Sequence, residues 1–177
     1  MHARAVNKRI RAGWMTGMYA STGVLLALAA WDVNAAAPPK LQAGLWESRV
    51  QSTENPGAKK TEYSFKLCRD HAYDRQTDDL VKKNKNCTTK IERLADDRFS
   101  AASRCTVPGM VIDSKGLSIY RNNTAIHSES AATYTPPLYG KTDETIIQDQ
   151  HYVGACPAGM KPGDRILPDG RLVRRPK

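Results

Sequence analysis

Hydrophobic and polar residues alternate with the two-residue period of a β-strand over much of this chain. Within residues 61–67, Tyr63, Phe65 and Leu67 share one face and Glu62, Ser64 and Lys66 the other. Residues 44–50 behave alike, with Trp46 and Val50 on one face and Leu45 opposite. Asn55-Pro56-Gly57 lies between them and is a strong turn signal, so the pattern predicts a hairpin.

The period then changes. Residues 70–83 carry Tyr73, Leu80 and Val81 at roughly helical spacing. Asp70 is placed to cap the exposed amides at the start, and Lys82 and Lys83 lie where the terminal carbonyls favour positive charge. This is the one predicted helix, expected to lie on the sheet. From Cys87 the strand period returns. It predicts strands over residues 87–94, 98–107, 116–120, 124–135 and 144–155, with turns at Asp96-Asp97 and Arg121-Asn122-Asn123. Pro136-Pro137 and Gly140 read as a loop, and regular structure is expected to end after Cys156. Many inward positions hold Ser, Ala or Thr, which suits a strongly curved sheet. The predicted fold is mainly β: a curved antiparallel meander, open or half-barrel, with one packed helix and no internal repeat.

The N-terminus adds a compartment. Arg4, Lys8, Arg9 and Arg11 precede an apolar stretch centred on residues 24–30, and Val33-Asn34-Ala35 fits small-x-small cleavage. Residues 1–35 therefore read as a secretory signal peptide, cut after Ala35 or Ala36. The first cysteine is Cys68, so the leader lacks the cysteine that lipid modification directly after it requires. Membrane attachment would arise only through an uncleaved leader. The mature chain keeps 142 of 177 residues, the size of one domain. The expected division is a β-rich domain over residues 36–164 and a basic, flexible tail over 165–177.

Charge narrows the partners. The whole chain carries +9, and four basic residues and one acidic residue leave with the leader, so +6 remains. Part of it sits at Arg171, Arg174, Arg175 and Lys177. Nucleic acid is a poor partner, because no stretch interleaves aromatic and basic residues. Inhibitors of basic lysozymes use acidic surfaces, so the positive balance counts against that target class.

Cys68, Cys87, Cys105 and Cys156 are an even set in an exported chain, which points to two disulfides. No Cys-x-x-Cys spacing appears, and no close Cys or His pair suited to zinc. Three connectivities are open. A helix that returned the chain to the same sheet edge would join Cys68 to Cys87 and leave Cys105 for Cys156, and that pairing is expected.

The Gly44-Leu45-Trp46-Glu47 start, the four ordered cysteines and the closing Cys156-Pro157-Ala158-Gly159-Met160 together carry a resemblance. The chain resembles a family of small exported bacterial proteins whose function is uncharacterised, over about residues 41–164. The resemblance implies a periplasmic, disulfide-bonded β-domain, usually from Gram-negative bacteria, and supplies no catalytic residues.

The residues themselves offer little catalytic chemistry. His127 and His151, with Glu129 and Asp149 nearby, read as the polar face of a sheet rather than an acid–base or metal site. His71 reads as a structural or exposed residue at a helix start. No catalytic or phosphate-binding motif is present, and no cofactor or metal site is expected. Trp46, Tyr63 and Phe65 are the candidate ligand wall. The expectation is a non-enzymatic periplasmic binding or envelope-associated module. A carrier of an apolar small molecule and an inhibitor of a secreted hydrolase are the alternatives.

Overall fold

A computed structural model describes residues 38–175, so the expected leader lies outside the described residues. The chain forms β1 (Gly44–Asn55), β2 (Lys59–Arg69), α1 (His71–Lys83), β3 (Cys87–Ala95), β4 (Arg98–Val107), β5 (Met110–Arg121), β6 (Ala125–Leu138) and β7 (Lys141–Gly154). Two short strands, β8 (Arg165–Ile166) and β9 (Leu172–Val173), follow. All nine strands belong to one antiparallel sheet in the order β3-β4-β5-β6-β7-β1-β2-β8-β9, and it does not close into a barrel.

The predicted β1–β2 hairpin and the β3–β7 meander both form. They join where β1 pairs with β7, which places Trp46 between Leu67 and Tyr152. β1 opens at Gly44, whose φ is 143° and whose missing side chain leaves space for the Gly154 carbonyl. A Cβ there would collide with that carbonyl, so the Gly-Leu-Trp-Glu start has a steric reason for its glycine.

Strands β1, β2 and β7 run a few residues longer than expected, and three further differences have a clear cause. β5 begins at Met110, because Pro108-Gly109 turns the chain tightly; Gly109 has φ 77°. β6 runs through both prolines to Leu138, and Tyr139-Gly140, with φ of 51° and 83°, make the turn instead. Regular structure also continues beyond Cys156. β8 extends the sheet from β2 through Lys66–Ile166 and Leu67–Arg165, and β9 pairs with β8. The expected basic tail is tied back by Asp164. Its carboxylate accepts from the Lys161 and Arg175 amides at 2.8 and 3.0 Å and from Arg174 Nη1 at 2.7 Å. The Arg175 guanidinium lies 5.1 Å over the Tyr73 ring, reaching α1.

The helix is present where predicted but buries none of its residues. It is held at its start instead: Asp70 accepts from the Tyr73 amide at 2.7 Å, Arg69 meets Asp74 at 2.8 Å, and His71 Nε2 reaches the Leu41 carbonyl at 2.9 Å.

The disulfide connectivity corrects the expected pairing. The bonds join Cys68 to Cys156 and Cys87 to Cys105. The connection through α1 carries the chain from β2 to β3, at opposite ends of the run β3 to β2, so Cys87 cannot meet Cys68. The β3–β4 hairpin sets Cys87 directly opposite Cys105, and Cys156 follows β7 on the other side of β1 from Cys68.

The main buried cluster lies on one face at one end of the sheet, while Leu45 and Cys68 are buried on the other face. Leu41, Trp46 and Ile126 are buried together, with Tyr120 and Tyr152 packed against them. Trp46 meets Tyr152 edge-on at 6.3 Å, and Tyr120 meets Phe99 at 5.5 Å. The indole N–H donates to the Gln42 carbonyl at 2.8 Å, so this fully buried ring leaves no polar group unpaired.

Candidate functional site

Burial along β1 alternates and identifies the shielded face. Trp46, Ser48, Val50 and Ser52 are buried, while Arg49 and Gln51 between them are exposed. The strand registers extend that face through Phe65 and Tyr63 on β2 and through Gln150 and Gln148 on β7. It continues through Ser128 and Ser130 on β6, then Ser118 and Gly116 on β5. Every described strand belongs to the same sheet, so no second sheet covers this face. At the Trp46 end it is shielded by Leu41 and Arg69, which pack on the indole. Gly116 records a bend: a Cβ built there would lie 3.2 Å from Ser130 Cβ and 3.0 Å from the Glu129 carbonyl oxygen. Ordinary cross-strand Cβ atoms stand about 4.5–5.5 Å apart, so these strands fold toward each other on this side. The face bows inward at Gly116, and this local bend makes it a shallow trough.

Its floor is polar. Ser118 and Ser128 hydroxyls lie 3.1 Å apart, and Arg69 reaches Gln150 at 3.5 Å. Ser48, 1 % exposed, holds the one buried side-chain oxygen among the described residues that has no hydrogen-bond partner.

The two ends differ. At one, the Arg69 guanidinium lies 5.1 Å over the Trp46 ring and closes the aromatic core. At the other, Glu144 accepts from Ser52 at 2.6 Å, from Lys141 at 2.8 Å and from the Tyr134 hydroxyl at 3.0 Å. Burial pushes the Glu144 carboxyl up, but these three donors outweigh it and hold its pKa below the usual value. Lys141 is raised well above the ordinary lysine range, chiefly by its hydrogen bond to Glu144, and remains charged.

The proposed ligand wall divides. Trp46 has no exposed surface and belongs to the core. Tyr63 and Phe65 stack at 6.4 Å on the β2 side of the trough, with Tyr63 half exposed and Arg165 5.1 Å over Phe65. Gln148, Gln150, Tyr134 and the Lys141–Glu144 pair are floor and end residues that sequence reasoning missed. The alternation of residues 144–155 was a usable signal, since it puts Glu144, Gln148 and Gln150 on the face of Tyr152.

The histidines lie elsewhere. His127 and His151 occupy the opposite, outer face, where His127 faces Asp149 across the β6–β7 ladder. The His127 ring meets Asp149 at 2.8 Å through Nδ1 and Glu129 at 3.1 Å through Nε2. The hydrogen bond to Asp149, then that to Glu129, raises its pKa above 6.5. Both ring nitrogens are occupied by carboxylates, which is the arrangement of an ion-paired cation. Among the described residues no three His, Cys, Asp or Glu side chains converge as metal ligands.

These features define a class: an open antiparallel β-sheet domain stapled by two disulfides, with one partly buried, largely polar face. Residues 41–156 match the family model described as protein of unknown function (DUF3617), and the chain belongs to that family. No curated protein matches the sequence.

Proposed function

We propose that the protein acts outside the cytosol as a non-catalytic binding module, and that the trough takes an extended polar ligand of the cell envelope, with glycan chemistry as the best fit. The observation that carries this reading is the trough itself, a partly shielded sheet face on which the hydroxyls and amides of Ser48, Ser118, Ser128, Ser130, Gln148 and Gln150 surround the hydrocarbon of Val50 and Ile146. Hydroxyl and amide groups on a ligand can exchange hydrogen bonds with Ser128, Ser130, Gln148 and Gln150. The stacked Tyr63 and Phe65 rings offer flat apolar contact to the C–H face of a sugar. Ser48 supports the same reading, since a buried hydroxyl with no partner costs about 1–3 kcal/mol until one is supplied.

An apolar carrier is the weaker alternative. A hydrocarbon ligand would strip water from the same floor and return no hydrogen bonds. The two disulfides and the predicted leader support action in an oxidising compartment.

The test has two arms. Expression of the whole chain with its leader should yield an exported protein that begins at Ala36 or Ala37 with all four thiols oxidised. Calorimetry with soluble cell-wall glycan fragments should then show binding that is lost in Ser128→Leu and Gln148→Leu but kept in Arg49→Ala on the outer face. Recovery from the cytosol with free thiols would overturn the compartment. Binding of an apolar fluorescent probe in place of glycan would overturn the ligand class.

A further inference from the structure

β3 is an end strand of the nine-stranded sheet, and nothing among the described residues pairs with its outer edge. Its inner edge fixes which backbone groups point outward. The Cys87 and Cys105 Cα atoms are 4.0 Å apart and directly opposite, the spacing of a pair without mutual hydrogen bonds. The neighbouring Asn86 carbonyl accepts from the Thr106 amide at 2.8 Å, in agreement. Alternation along the strand then turns the N–H and C=O groups of Thr89, Ile91 and Arg93 outward. Ile91 and Leu94 are 43 % and 58 % exposed on this strand, apolar surface at an open edge.

Edge strands in monomers are commonly guarded by charges that repel a second strand. The charges on β3 are arranged differently. Lys90 and Glu92 flank Ile91 on the outer face, 2.5 Å apart and both well exposed. In an antiparallel pairing of two copies with a two-fold axis at Ile91, Lys90 of each copy falls opposite Glu92 of the other. Ile91 falls opposite itself, and Thr89 opposite Arg93. The outward amides and carbonyls of Ile91 then bond reciprocally, as the backbone parity requires, and the two Lys–Glu pairs occupy the closer, non-hydrogen-bonded positions. In a parallel in-register stack the same residues would set Lys on Lys and Glu on Glu, so the pattern selects a closed pair over an open fibre.

We infer that β3 is a self-recognition edge, and that two copies of this chain pair through it about a two-fold axis at Ile91 to continue one sheet through both. This rests on the strand edge alone and is independent of any ligand in the trough.

The experiment is sedimentation of the oxidised exported protein at low salt, where exposed charge pairs are least screened. The wild-type protein is expected to reach dimer mass with rising concentration. Lys90→Glu and Glu92→Lys each place like charges opposite one another, and each should weaken dimerisation by about tenfold or more. Mixed in equal amounts, the two variants should pair with each other, because an edge with two carboxylates then faces an edge with two ammonium groups. Ile91→Pro removes an outward amide that β4 does not use, and should give a monomer with the wild-type circular dichroism spectrum. A wild-type protein that stays monomeric to its solubility limit would overturn the inference. So would single charge variants that dimerise as well as wild type, or a mixture that gains nothing.

Discussion

Cys68 and Cys156 are bonded across the line of β1: Leu45 on β1 pairs with Cys68 on one side and with Gly154, two residues before Cys156, on the other. The bond ties both neighbours of the central strand together, with Cα atoms 5.5 Å apart. The Cys87–Cys105 bond, by contrast, staples a hairpin whose strands are already paired.

The two bonds should therefore contribute unequally. They span 88 and 18 residues, and loop entropy assigns them about 4.6 and about 3 kcal/mol. Cys68→Ala with Cys156→Ala should lower unfolding free energy by about 1–1.5 kcal/mol more than Cys87→Ala with Cys105→Ala. Urea unfolding of the two double variants measures the difference; equal losses would refute it.

Asp164 should make the C-terminal anchor sensitive to acid. The amides of Lys161 and Arg175 and the Arg174 guanidinium hold its pKa down to about 2, against 3.8 when free. A depressed folded value stabilises the anchor above the free value, and that contribution is lost as pH falls from 3.8 toward 2. Limited proteolysis by an acid protease should release residues near 165–175 in that window. Asp164→Asn should show the same cleavage at neutral pH with a neutral protease.

His127 should respond in the opposite sense. Its pKa is raised above 6.5 by Asp149 and Glu129, so the ion pair stabilises the fold fully below the unfolded value. That contribution disappears as pH rises through the folded value. An NMR titration of the imidazole should place its midpoint above 6.5, and Asp149→Asn should bring it back down. An unchanged midpoint in Asp149→Asn would show that the contact is absent in solution.

Gly116→Val tests the bend. The new side chain meets the Glu129 carbonyl and Ser130 at 3.0 and 3.2 Å, so the strands must part on the concave side. The expected loss is about 1–3 kcal/mol in urea unfolding, the usual cost of overpacking. The proposed glycan binding should fall with it. A variant as stable as wild type would mean that the sheet is flatter than described.

Much of this fold was legible in the alternation of side chains. Tyr63, Phe65 and Leu67 share a face as the pattern requires, β4 has the predicted bounds, and the helix starts at the Asp70 cap. The disulfides show what the pattern lacked. Their pairing depends on which strands adjoin, and a helix of thirteen residues leading from β2 to β3 leaves no mark of its destination in the sequence. One clue was available: a hairpin turning at Asp96-Asp97 brings Cys87 level with Cys105, given one bulge between Arg93 and Ala95. The tail misled for a related reason. Its prolines, glycines and arginines read as solvated chain, but Asp164 gathers two of those arginines into fixed contacts. The trough floor was hidden because serines and glutamines in strands look like solvent-facing positions. Ser128, Gln148 and Gln150 are half-buried through strand register and the local approach of β5 to β6, neither of which the sequence displays.

The placement of β1 beside β7 has a consequence for the order in which the chain can mature. β3 to β7 pair with immediate neighbours and can zip up locally, but Trp46 must wait for Tyr152 to emerge before it finds its second partner. Contacts between such distant parts of a sequence form slowly and late. The strand that is synthesised early should thus be among the last to settle. Its apolar face stays open to chaperones and proteases in the interval. Pulse-labelled hydrogen exchange during refolding should show amides of β4 to β6 protected before those of β1.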